Sequence, residues 1–260
     1  MSQPDHPAGP PGGVTLELTD GIALITIDRP EVRNAIGAAT VAALGEVISE
    51  IEASDAAVVV LTGGGDRAFV SGGDLKELNA LRTVEEAAEM ALSVRSVLDR
   101  LAGLPIPVIA AMNGHALGGG AEVAVAADIR IAADDIKIGF NQVTLGIMPA
   151  WGGIERLTQL VGRSRAMLAI ATGTRYDAVQ AQRIGLLDLV VRRAEFEAQW
   201  RACAEGFAAL APGATRAIKS VIASFAPAVH DETRDNAIAQ FAELWVGDAH
   251  WDAVEAMMRR

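Results

Sequence analysis

The sequence predicts an α/β fold, and three observations carry that expectation. Strand-like, loop and helical segments alternate through about residue 190. Two of the strand-like segments, AAVVVLTGG (56–64) and PVIAAMNG (107–114), are unbroken apolar runs of the kind buried on both faces, and each ends in a glycine loop. From about Glu195 the pattern is helical alone.

In chain order, VTLELTD and IALITID flank Asp20-Gly21, a two-residue hairpin signal. TVAALGEVISEIEA follows with apolar Val41, Leu44, Val47, Ile48 and Ile51 on one helical face. After the first buried strand, DLKEL and the stretch from Val84 to Leu101 read as helix. After the second, HALGGGAEVAVAAD (115–128) places three glycines ahead of a buried helix start. DIRIAAD and KIGF are short strands. Helices are then expected over EFEAQWRACAEGFAAL, near 214–224, and from about Glu232. The boundaries that follow are a disordered Pro/Gly-rich lead over residues 1–13, an α/β core over 14–195, and a helical region over 196–260. That last region is expected to pack on the core or on a neighbouring subunit.

The bulk numbers narrow the function. The chain has 260 residues, 51% of them hydrophobic, with a mean hydropathy of +0.28. That supports a sizeable core with some apolar surface left for a subunit interface. A net charge of −11 argues against nucleic acid or a polybasic membrane patch as partner. No apolar run reaches the ~18 residues of a membrane span. The N-terminus lacks a basic start and an apolar stretch, so it is not read as a secretory signal. One cysteine, Cys203, rules out an intramolecular disulfide framework and suits a reducing cytoplasm.

Common catalytic constellations are missing. His6, His115, His230 and His250 are scattered without metal-ligand spacing, and no metal site is expected. Nucleophile-elbow and Walker motifs are absent, and the glycines at 118–120 fail the dinucleotide fingerprint because Val123 occupies its last glycine. Two glycine loops remain, GGGDRAFVSGGDLKEL and NGHALGGGAE, each after a buried strand and before a helix. Brought together, they would offer two main-chain N–H groups to one oxygen, the construction of an oxyanion hole. Tight turns or close helix packing explain the same glycines equally. Glu122, a lone carboxylate in an apolar helix start, is either a base whose pKa desolvation raises or a surface-facing or structurally paired side chain. Asp74, ahead of a short helix, reads as a cap rather than an acid.

The segment PVIAAMNGHALGGGAEVAVAADIRIAA closely resembles the signature of the enoyl-CoA hydratase/isomerase (crotonase) superfamily. ITIDRPEVRNAI, VVVLTGGGDRAFVSGGDLKEL, TLGIMPAWGGIERLTQLVG and ATGTRYDAVQAQRIGLLDLVV agree with it in order and spacing, over about residues 14–225. The resemblance implies a core of repeated ββα turns, a C-terminal helical trimerisation region, and a homotrimer or dimer of trimers. It implies an acyl-CoA thioester as substrate, with CoA as its handle and no other cofactor. Carried onto this chain, Gly73 and Gly119 would hold the thioester oxygen and Glu122 would activate water. Arg33, Ser71, Gly73, Leu75 and Lys76 would contact CoA. The family's second glutamate falls on Gln142, which can orient water but cannot exchange a proton as an acid. Trp151 stands where a small residue is common; it narrows the acyl pocket or belongs to the core or an interface. The resemblance leaves three readings. One is an enoyl-CoA hydratase-like lyase. Another is a decarboxylase or double-bond isomerase working through the same thioester enolate. The third is an acyl-CoA-binding protein without chemistry.

Overall fold

A computed structural model describes residues 11–225 and 231–259. The first strands, β1 (Val14–Thr19) and β2 (Ile22–Ile27), pair antiparallel across Asp20-Gly21. Both turn residues have positive φ (51° and 76°), as the two-residue hairpin requires. Part of the expected N-terminal lead is ordered. Pro11–Gly13 form a 3-10 turn whose Gly13 carbonyl accepts the Asp28 amide at 2.6 Å, and Thr40 Oγ1 donates to the Gly12 carbonyl at 2.9 Å. Residues 1–10 of that lead, with His6, lie outside the described residues, as does His230.

Helix α1 (Ala38–Glu52) follows, burying Leu44, Ile48 and Ile51. Next come β3 (Val58–Gly63), β4 (Ala68–Val70), the short α2 (Leu75–Leu78) and α3 (Val84–Gly103). Thr83 and Glu86 close a capping box at the start of α3. The pattern then repeats as β5 (Val108–Met112), β6 (His115–Leu117) and α4 (Gly119–Ala124), and again as β7 (Ile129–Ala133) and β8 (Lys137–Gly139) ahead of a 3-10 turn over Gln142–Leu145. The chain continues through α5 (Gly153–Val161), α6 (Arg163–Thr172), β9 (Tyr176–Asp177), α7 (Ala178–Arg183) and β10 (Leu189–Val191).

Each repeat gives one strand to each of two sheets. The larger has the order β1-β2-β3-β5-β7-β10, parallel apart from the first hairpin; the smaller has β4-β6-β8-β9. The repeated ββα turns therefore stack, as the resemblance implied. The central strands β3 and β5 are almost wholly buried, which explains their unbroken apolar sequence. Arg130 on β7 is buried too. Its guanidinium donates to the Leu186 and Ala127 carbonyls at 3.0 and 2.9 Å and pairs with Asp188 at 2.5 Å, tying β7 to the segment before β10.

The C-terminal region holds α8 (Phe196–Ala208), α9 (Pro212–Ser224), α10 (Asp231–Trp245) and α11 (Asp248–Met258). The single helix expected from Glu232 is thus two, broken at Gly247, which caps α11 in extended conformation. α10 lies against α3, and α11 against the Gln142–Leu145 turn. Among the described residues no helix is long and apolar enough to cross a membrane.

Candidate active site

The two glycine loops of the sequence meet. A Cβ built on Gly72, whose φ of +107° already excludes most side chains, would lie 3.4 Å from the Gly119 nitrogen. Buried Asn34 fixes the first loop: its amide nitrogen donates to the Gly64 and Ala68 carbonyls at 2.9 and 2.7 Å. A parallel bridge then joins Ile36 to Gly73, in which the Ile36 amide donates to the Gly72 carbonyl (2.8 Å) and the Asp74 amide to the Ile36 carbonyl (2.9 Å). Parallel pairing uses the flanking residues and turns the Gly73 amide to the other side. Gly119 is the first residue of α4, where an amide has no acceptor in its own helix. Neither the Gly73 nor the Gly119 N–H donates to any described residue.

Glu122 sits one turn into α4, 2% exposed. Its Oε1 accepts the main-chain amides of Trp151 (2.8 Å) and Gly153 (3.0 Å) at the start of α5, and its Oε2 accepts Gln142 Nε2 at 2.9 Å. A side chain at 153 is excluded, because a Cβ there would lie 2.5 Å from Glu122 Cγ. Desolvation raises the Glu122 pKa from 4.5 to about 7, against the opposing pull of those three donors and of the nearby Arg156 charge. Arg156 reinforces the same turn: Nη1 donates to the Trp151 carbonyl at 2.9 Å while Nη2 pairs with Asp99.

Gln142 takes one carboxylate oxygen and leaves its own Oε1 buried without a partner among the described residues; Asn141 Oδ1 beside it is in the same state. Both residues line a cavity of about 1210 Å³ that also takes in Gly73, Gly119 and Glu122. The six-membered edge of the buried Trp151 ring lies over both glycines: a Cβ on Gly73 would be 3.7 Å from its Cη2, and one on Gly119 would collide with it. Of the two places open to it from sequence, Trp151 therefore takes both: it belongs to the core and lines the cavity.

Arg33, Ser71, Leu75 and Lys76 line the mouth of the same cavity. Arg33 is left-handed (φ 57°) and exposed, and its carbonyl accepts the Ser71 amide at 3.2 Å. Arg67 and Arg175 join Arg33 and Lys76 there, all four without a carboxylate partner among the described residues. A chain of net charge −11 thus gathers cations at one opening. Asp74 is a cap: Oδ1 accepts the Lys76 amide at 3.1 Å and Oδ2 pairs with Arg29 at 3.0 Å. Among the described residues no three His, Cys, Asp or Glu side chains are grouped as metal ligands.

The far wall was not legible in sequence. Phe241, Trp245, His250, Trp251, Val254 and Met257 of α10 and α11 line the cavity, with Arg82 stacked 3.6 Å above the Trp251 ring. They lie at least fifty residues beyond the last motif, on helices whose amphipathic pattern does not say which cavity they cover.

A family model described as enoyl-CoA hydratase/isomerase matches residues 17–246. The chain is 40% identical over 210 residues to a short-chain-enoyl-CoA hydratase of Clostridium acetobutylicum, spanning 80% of each protein. Among solved structures, an enoyl-CoA hydratase from Bacillus anthracis superposes with a TM-score of 0.80 at 31% identity, over 95% of this chain and 96% of that one. A carnitinyl-CoA hydratase from Mycobacterium avium does so with a TM-score of 0.83 at 30% identity, over 95% and 96%.

Proposed function

We propose, for a chain that belongs to the enoyl-CoA hydratase/isomerase family, that it adds water across the double bond of a short 2-enoyl-CoA. The observation that carries this is the buried Glu122 carboxylate, its pKa raised to about 7, in one cavity with two glycine amides that lack acceptors among the described residues. A carboxylate so tuned is half ionised near neutrality and suits a general base.

Glu122 takes a proton from water as the water oxygen bonds to the β carbon. The double-bond electrons move through the α carbon onto the thioester oxygen, where the Gly73 and Gly119 amides stabilise the charge. The proton held by Glu122 returns to the α carbon as the carbonyl re-forms. Gln142 stays neutral throughout: Nε2 fixes the carboxylate, and its unpartnered Oε1 accepts the water hydrogen that is not transferred. CoA enters as part of the substrate, its phosphates facing Arg33, Arg67, Lys76 and Arg175 and its adenine near Ser71, Gly73 and Leu75. The Trp151 edge over the glycines favours a short acyl group, in keeping with the name of the Clostridium relative. The single cysteine supports a reducing cytoplasm as its setting. A homotrimer, alone or paired, is supported by Ile218, Val221, Ile222 and Phe225, which leave an apolar stripe exposed along and just beyond α9 at helical spacing.

Crotonyl-CoA tests the reading through loss of its conjugated absorbance. No turnover of any 2-enoyl-CoA, short or long, would end it. Gln142 favours one competitor, decarboxylation of a malonyl-type thioester, which needs the enolate site but no second acid. Carbon dioxide release that survives Glu122→Gln, with hydration absent, would put that reaction in its place.

A further inference from the structure

We propose that His250 forms a polar subsite in the acyl pocket, accepting a hydrogen bond from a hydroxyl carried at the distal end of the acyl group. The inference rests on the acyl-CoA reading above and extends it to substrate class.

His250 is 2% exposed and lines the same cavity as the residues assigned to CoA. One of its nitrogens is accounted for: Nδ1 lies 2.7 Å from the Leu145 carbonyl oxygen. A carbonyl only accepts, so the proton is on Nδ1, and in the neutral ring Nε2 carries a lone pair. Burial and the charge of Arg82 both lower the ring's pKa, which keeps it neutral. Nε2 is buried and has no donor among the described residues. Trp245 and Trp251 flank the ring with centroids 4.5 and 4.8 Å away. The Trp245 indole N–H is already engaged with the Leu81 carbonyl at 3.1 Å.

A lone pair set in an aromatic wall is costly unless something donates to it. The position suits the end of a short acyl chain. Leu145 closes the 3-10 turn that begins at Gln142, so one short turn joins the His250 contact to the residue beside the reacting carbons. A hydroxyl fits and a carboxylate does not, since an anion would meet a lone pair.

The test separates this subsite from the chemistry by using saturated thioesters, which bind without reacting. Calorimetry would compare butyryl-, pentanoyl- and hexanoyl-CoA with their ω-hydroxy counterparts. At the chain length that reaches His250, the hydroxylated ligand is expected to bind about tenfold tighter. His250→Phe keeps the aromatic volume and should abolish the preference without weakening the unsubstituted ligand. His250→Gln retains an acceptor and should keep part of it, which covers the case in which the Phe variant does not fold. No preference at any length, or one that persists in His250→Phe, overturns the subsite. Crotonyl-CoA hydration in parallel reports on the proposed function alone. Loss of preference with hydration intact sinks only the subsite, whereas absent hydration with the preference intact sinks only the reaction.

Discussion

Glu122 is one residue on which two pH effects of opposite consequence converge. As a base it works only when ionised, so kcat/KM for hydration should rise with pH through a midpoint of about 7. Stability should move the other way. Its pKa in the folded protein lies above the ordinary 4.5, so its favourable contribution is complete below pH 4.5 and is lost as pH rises through 7. Glu122→Gln removes that dependence. The replacement amide can still accept from the Trp151 and Gly153 amides, and its own N–H can donate to Gln142 once Gln142 turns its free oxygen inward. Between pH 4.5 and 8 the stability difference should therefore shift in the variant's favour by up to about 3 kcal/mol, while hydration falls ~10²–10⁴-fold. Urea denaturation at both pH values checks the first effect. A shift towards the wild type, or an activity profile flat from pH 6 to 8, would contradict this account.

At the scale of elements, the start of α4 is where glycine is required by space rather than by φ alone. A Cβ on Gly120 would run into the main-chain carbonyl of Val70 on β4, which cannot swing aside as a side chain can. Gly120→Ala should cost about 3 kcal/mol, whereas Gly206→Ala, in the last turn of α8 with nothing within 4 Å, should stabilise by up to about 1 kcal/mol. Thermal unfolding of the pair checks the contrast. Sequence alone revealed elements that carry their own local signal: the Asp20-Gly21 hairpin, the apolar runs of β3 and β5, and the 3.6-residue period of α1. The three-residue strands β4 and β6 have too few residues for a period and vanished into their glycine loops, whereas β8, equally short, was read from KIGF. The break at Gly247 escaped because one glycine in an apolar pattern reads as tolerated. The motifs brought Gly73, Gly119, Glu122 and Gln142 to attention, since resemblance reads chain order well. It did not supply Trp245, His250 and Trp251, whose place depends on how α10 and α11 fold back over the core.

For the molecule as a whole, the exposed stripe of Ile218, Val221, Ile222 and Phe225 sets the prediction. A chain with 33 acidic side chains against 22 basic ones has ample polar surface to cover a helix it does not intend to bury. Ile222→Glu should convert the proposed trimer to monomers in sedimentation, with the circular dichroism of the folded chain kept. A wild type that already sediments as a monomer would refute the assembly.

The bridge between Ile36 and Gly73 has a consequence for descent. In the proposed reaction the groups offered to the thioester oxygen are peptide nitrogens, and short of proline no codon change deletes one. Mutation is free to rewrite the residues at 122, 142 and 151, and with them the outcome of the reaction, while every heir that keeps the backbone path keeps the grip on the oxygen. A new activity on this scaffold is then a matter of a few base changes, made without first losing the old intermediate.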